Sequence, residues 1–131
     1  MIDPNVFVGK WNGKYVGSPI AGIHQCVALI KQWELENGWQ NTWGNAIDYW
    51  NNGEAGYTKV ANNPNDLNQF PPAGSLVVFE VGQFGHIGIA LPGTNGRHIV
   101  LFNQNDPIGH VSDVLTFDYV HPKCLGWLIH E

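Results

Sequence analysis

Two residues in this chain combine reactive side chains with a setting suited to amide-bond chemistry, Cys26 and His86. The thiolate, rather than the thiol, is the nucleophile, and a free Cys has a pKa of about 8.5. Cys26, Leu29, Ile30 and Trp33 fall at i, i+3, i+4 and i+7, one face of an amphipathic helix. Gly38 is its natural stop after Glu36 and Asn37, so Cys26 sits in the first turn. Unpaired backbone N–H groups and the helix dipole favour an anion there, and a nearby imidazolium would favour it further. A helical Cys taken alone is more often a small core residue.

His86 stands in F-G-H-I-G-I-A, between Gly85 and Gly88, whose lack of bulk leaves room for a substrate. His24, His98, His110, His121 and His130 have no comparable setting. His24 is two residues from Cys26, and i and i+2 at a helix start do not face each other. A Cys–His pair also needs a group that holds the imidazole in one tautomer. F-N-Q-N-D offers Asn103 and Asn105, which share a side if the strand runs through both, with Asp106 just beyond. Two Asn at a strand end are also an ordinary turn signal. Trp33, Trp43 and Trp50 lie on helical apolar faces and read as core, while Trp39 and Trp127 are candidates for lining a cleft. Cys124 lies in an apolar strand and reads as structural.

The elements that must position these groups follow from pattern. The first 22 residues, with Gly9, Gly13 and Gly17 before Pro19 and Gly22 after, read as irregular with one helical turn. A second helix is expected from Trp43 to Asn52, with Thr42 as its N-cap. Asn62 to Pro72 reads as a loop. Strands are expected at Ser75–Val81, His86–Leu91 and His98–Asn103, with short ones near Val114–Tyr119 and Leu125–His130. Helices first and an antiparallel sheet afterwards give an α+β class. At 131 residues the chain is expected to be one domain, residues 1–131.

Composition narrows the function. Six Lys plus Arg against 11 Asp plus Glu leave a net charge of -5, which repels phosphate backbones and argues against nucleic-acid binding. It gives no electrostatic help towards anionic bacterial walls either. No stretch approaches the ~18 apolar residues of a membrane span, and Met1 to Lys10 lacks the features of a secretory signal. Two Cys without a Cys-x-x-Cys give no zinc or thioredoxin-type motif.

A helix-start Cys, a strand-borne His and a polar orienter on the next strand, in that order, make the papain-like plan. H-Q-C-V-A-L-I-K, W-G-N-A-I-D-Y-W-N-N, P-A-G-S-L-V-V-F, F-G-H-I-G-I-A-L, F-N-Q-N-D-P and C-L-G-W-L resemble the CHAP family, the cysteine, histidine-dependent amidohydrolases/peptidases. The likeness runs from about Lys14 to Leu128. It implies a papain-like (CHAP) fold with N-terminal helices packed on a twisted antiparallel β-sheet. It also implies a peptidoglycan hydrolase of the phage endolysin kind, either an endopeptidase or an N-acetylmuramoyl-L-alanine amidase. Cys26 would be the nucleophile, His86 the general base, and Gln25 an oxyanion or substrate contact. The family usually carries an acidic residue, then Gln, then Asn on the following strand. Here Asn103 takes the acidic position and Asn105 matches the Asn, so the two share the orienting role. Some relatives hold calcium just before the Cys. Gly17-Ser18-Pro19-Ile20 has no carboxylate and Ala28 stands two positions after Cys26, so no metal and no cofactor are expected.

The implied partner is bacterial peptidoglycan, without nucleic acid or membrane insertion, and with a separate wall-binding domain or subunit as a possible companion. Without a signal peptide, such a lysin would be made in the host cytoplasm and reach the wall through a holin or in a virion. The rival reading is a catalytically weakened or inactive wall-binding module on the same fold, suggested by Asn103.

Overall fold

Asp3 and Pro4 begin a helix that the glycine-rich N-terminal composition conceals. In the computed structural model, which describes residues 1–17, 25–40, 44–52, 56–120 and 123–130, helix α1 spans Pro4–Trp11. The Asp3 side chain accepts a hydrogen bond from the Asn5 N–H, and Pro4 takes the first helical position, where its missing N–H costs nothing. An irregular segment with one turn was the expectation; an eight-residue helix is the finding. Phe7 anchors it, meeting Trp33 and Phe102 edge-on at centroid distances of 5.0 and 5.9 Å.

Helix α2 covers Cys26–Glu36 with Gln25 at its N-cap and ends before Gly38, whose φ of 73° suits glycine. Leu29, Ile30 and Trp33 are fully buried. So is Glu34, which accepts hydrogen bonds from the Tyr49 and Tyr57 hydroxyls at 3.1 and 2.8 Å. Helix α3 covers Ala46–Asn52, three residues shorter at its start than the apolar pattern suggested. Gly44 has a φ of 106°, which no helix accommodates. Asn45 opens the helix instead, its N–H donating to Asp48 Oδ2 at 2.8 Å. Thr42 and Trp43 lie outside the described residues.

The strands are β1 (Tyr57–Ala61), β2 (Leu76–Glu80), β3 (His86–Ala90), β4 (Ile99–Asn103), β5 (Asp113–Phe117) and β6 (Lys123–His130). They form one sheet in the order β1-β6-β2-β3-β4-β5, and each neighbouring pair is antiparallel. Among the described residues the architecture is thus α+β, three helices and a six-stranded antiparallel sheet. Leu76, Val78, Ile87 and Ile89 pack with α2 on one face, while Val77, Phe79, Leu101 and Trp127 form a second cluster. Burial of both faces explains why β2 and β3 read as continuous apolar runs. No helix among the described residues is long and apolar enough to cross a membrane.

Candidate active site

Cys26 is the first residue of α2, and α2 packs against β3, which His86 opens. Backbone N–H groups of Ile87, Val27 and Cys26 itself point at the Cys26 sulfur, so the thiol meets β3 one residue past His86. The join between helix start and sheet is made by Gln104, which is fully buried. Its Oε1 accepts from the Val16 N–H at 2.7 Å and the Ser112 hydroxyl at 2.8 Å. Its Nε2 donates to the carbonyls of Val16 at 2.8 Å and Gln25 at 3.2 Å. One amide therefore ties the end of β4 to the N-cap of the helix that carries Cys26. Gln104 was overlooked in the sequence because nothing local distinguishes it from its Asn neighbours.

His86 and Asn103 are brought together. Their side chains meet at 2.8 Å through Nε2 and Oδ1, buried from water. The acceptor identity of Oδ1 follows from the other end of the amide, where Nδ2 donates to the Asp113 carbonyl at 3.2 Å and to Asp113 Oδ1 at 3.3 Å. An Oδ1 acceptor requires His86 Nε2 to be the protonated nitrogen, which leaves the Nδ1 lone pair as the base. Asp113, paired with Asn103 across β4 and β5, also lies 3.0 Å from His110 Nε2 through its Oδ2. A carboxylate thus exists at this site, one amide removed from the imidazole. No sequence feature had pointed to Asp113.

Asn105 is not part of that group. The strand ends at Asn103, and Asn105 turns to a φ of 68°, a left-handed conformation that Asn tolerates. Its Oδ1 accepts from the Gly109 N–H at 2.6 Å and its own N–H donates to the His110 carbonyl at 3.0 Å. It shapes the loop that follows β4. The Gln25 side chain is exposed and makes no capping bond, which leaves its amide open to solvent at the helix start.

The charge state follows from burial. Desolvation raises the Cys26 pKa, against the three N–H groups that lower it, and the Asp106 carboxylate raises it further. Desolvation lowers the His86 pKa, opposed by the Asn103 hydrogen bond and by Asp106. Both shifts favour the neutral thiol and neutral imidazole in the resting site. Cys124 is free like Cys26, and burial lifts its pKa to about 12.

The glycines beside His86 serve packing rather than access. A Cβ at Gly88 would sit 2.5 Å from Leu101 Cγ and Cδ2, and one at Gly85 would crowd the Ile47 nitrogen and Phe79 carbonyl at 3.1 Å. Trp127 is buried in the sheet rather than lining a cleft, and Trp39 stacks on His130 at 3.9 Å. It is Trp50, expected in the core, that lines a pocket beside the β2–β3 turn. Among the described residues no cluster of His, Cys, Asp and Glu could hold a metal. Ser18, Pro19 and Ile20, where the calcium question falls, lie outside the described residues, as does His24.

The family model of the CHAP domain matches residues 14–105. Among solved structures, the wild-type endolysin LysIME-EF1 is similar with a TM-score of 0.71 at 22% identity, covering 99% of this chain and 65% of that one. Ly7917 is similar with a TM-score of 0.64 at 15% identity, covering 98% of this chain and 61% of that one. Likeness at these identities is likeness of fold, and the chain spans less than two thirds of either structure. No curated protein matches by sequence.

Proposed function

The chain belongs to the CHAP domain family, and from that premise we propose that it is a peptidoglycan hydrolase of the phage lysin kind that cleaves an amide bond with Cys26. The observation that carries this reading is the buried His86–Asn103 hydrogen bond at 2.8 Å, beside a strand whose Ile87 N–H reaches the Cys26 sulfur. With Nε2 occupied by Asn103, Nδ1 of His86 is the nitrogen that takes the thiol proton.

In this mechanism the thiol proton moves to His86 as sulfur bonds to the substrate carbonyl carbon. The Cys26 N–H and the Gln25 side chain donate to the developing oxyanion, where one such donor contributes about 3 kcal/mol in a serine protease. The imidazolium then protonates the departing amine and the C–N bond breaks, leaving a thioester. Water, deprotonated by His86, hydrolyses that thioester and restores the thiol. A neutral resting pair makes His86 a general base during attack, rather than one half of a standing ion pair.

Cys26→Ala tests the reading, followed by turbidity of purified walls and by mass analysis of soluble fragments. Walls stay intact with the variant and clear with the wild type if the proposal holds. Clearing by a folded Cys26→Ala protein would end it. Intact walls with both proteins, together with retained binding to them, would favour an inactive wall-binding module.

A further inference from the structure

We propose that the pocket reaching Gly85, the residue before His86, is a subsite for an N-acetylhexosamine ring of the glycan strand, and that a sugar held there presents the lactyl–alanyl amide to Cys26. The inference rests on the peptidoglycan reading above and deepens it by naming the bond. The pocket measures about 410 Å³, lies between α3 and the β2–β3 turn, and is lined by Ile47, Trp50, Asn51, Glu80, Gln83 and Gly85 among others. That volume is within the usual range of small-ligand sites, roughly 300–1,000 Å³.

Its lining has the chemistry of a sugar site. Trp50 is fixed in place before any ligand arrives: Lys59 Nζ sits 4.2 Å from the ring centroid and donates to the Trp50 carbonyl at 2.7 Å. Behind it, Gly126 in β6 leaves the space that the ring edge fills, since a Cβ there would lie 2.5 Å from Cη2. A held indole offers an apolar surface to the C–H face of a pyranose at little entropic cost. The Asn51 and Gln83 side chains are exposed and have no hydrogen-bond partner among the described residues. Each amide presents donors and an acceptor, which suits hydroxyl and acetamide groups together. Glu80 adds acceptors and a negative charge, with Lys123 Nζ 3.5 Å from it. A neutral sugar fits that charge better than a stem peptide with its free carboxylates.

Position then selects the bond. Gly85 lines the pocket and directly precedes His86, so their Cα atoms are about 3.8 Å apart. A lactyl ether joins the muramic ring to the first amide within a few bonds. The cross-bridge lies several residues along the stem peptide, at about 3.3–3.6 Å per extended residue. A ring in a pocket that reaches Gly85 thus favours the lactyl–alanyl amide over the more distant cross-bridge, the bond that an amidase cuts.

The test is titration of the Cys26→Ala protein with chitotetraose, a peptide-free N-acetylglucosamine oligomer, following the Trp50 indole N–H resonance. The resonance moves in a saturable way, and Asn51→Ala and Gln83→Ala each weaken binding about threefold to tenfold at an unchanged thermal midpoint. Walls digested by the wild type release peptides that begin with free alanine. The proposal is overturned if chitotetraose leaves Trp50 untouched, if a stem tetrapeptide moves it instead, or if cross-bridges are cut while muramoyl–alanine links survive. Saturable sugar binding without any wall digestion would instead remove the hydrolase reading and leave the sugar site standing.

Discussion

If Cys26 is the nucleophile and His86 its base, as proposed, two groups that rest neutral have a different pH signature from a preformed thiolate–imidazolium pair. Placement at a helix start favours the thiolate, but desolvation of Cys26 outweighs the N–H groups around its sulfur. The thiolate fraction at pH 7 is then below the few per cent of an ordinary Cys. Iodoacetamide should accordingly modify Cys26 at a rate that climbs with pH through the alkaline range, with Cys124 slower throughout because its pKa is about 12. A fast, pH-independent reaction between pH 5 and 7 would show a standing ion pair and refute this. On the proposed mechanism the acid limb belongs to His86, whose pKa lies below the ordinary imidazole value. The kcat/KM for wall fragments should thus remain high at pH 6.5 and fall only at lower pH. Asn103 sets a second prediction. Asn103→Asp would place a carboxylate against His86 Nε2 and raise its pKa, moving the acid limb up by about one unit or more. It would also set two carboxylates face to face, since Asn103 Nδ2 now donates to Asp113 Oδ1, and lower the thermal midpoint by about 3–10 °C. Adding Asp113→Asn should return most of that loss while keeping the shifted limb. If the double variant melts no higher than the single one, the carboxylate contact is not what Asn103 avoids.

Between elements, the site depends on how α2 is docked to β4, and Gln104 is the fastening. All of its polar atoms are engaged across a sequence separation of up to 88 residues. Gln104→Leu would keep the bulk while leaving the buried Val16 N–H and carbonyl unpaired, at about 1–3 kcal/mol each. A loss of several degrees in thermal midpoint is expected, together with a larger fall in kcat than change in KM, because Cys26 loses its registration against His86. An unchanged kcat in a folded variant would reduce Gln104 to a purely structural role. The same element scale shows what was legible in the sequence. β2 and β3 were readable because sheets buried on both faces leave apolar runs, and α2 because its period is helical. β1 (Tyr57–Ala61) was missed because it is an edge strand with mostly exposed residues, and its Thr58 and Lys59 break the apolar pattern. α1 is hidden because Gly9 within it and Gly13 and Gly17 after it mimic irregular chain, and only the short Asp3-Pro4 start signals the helix. Cys26 and His86 could be picked out by residue type and local setting. The different surroundings of Asn103 and Asn105 were not legible, since they depend on where the strand ends and the backbone turns left-handed. Asp113 was invisible because its link to Asn103 exists only in the pairing of β4 with β5.

For the molecule as a whole, charge would govern how the domain meets the wall substrate proposed for it. A net charge of -5 gives no attraction to an anionic wall, and the repulsion is long-ranged only when salt is scarce. The Debye length is about 30 Å at 0.01 M and about 8 Å at 0.15 M. Clearing of purified walls by this chain alone should therefore speed up severalfold as NaCl rises over that interval, the reverse of what a cationic hydrolase would show. Purified sacculi remove osmotic lysis from the measurement, and potassium glutamate in place of NaCl checks for a specific chloride effect. Fusing the chain to any wall-binding module should raise the low-salt rate most, because tethering supplies an effective concentration in the millimolar range for a short flexible linker and makes bulk encounter irrelevant. The salt dependence of the fusion should flatten accordingly. A rate that falls steadily with salt in the unfused chain would mean that a local cationic surface, rather than the net charge, governs the approach to the wall.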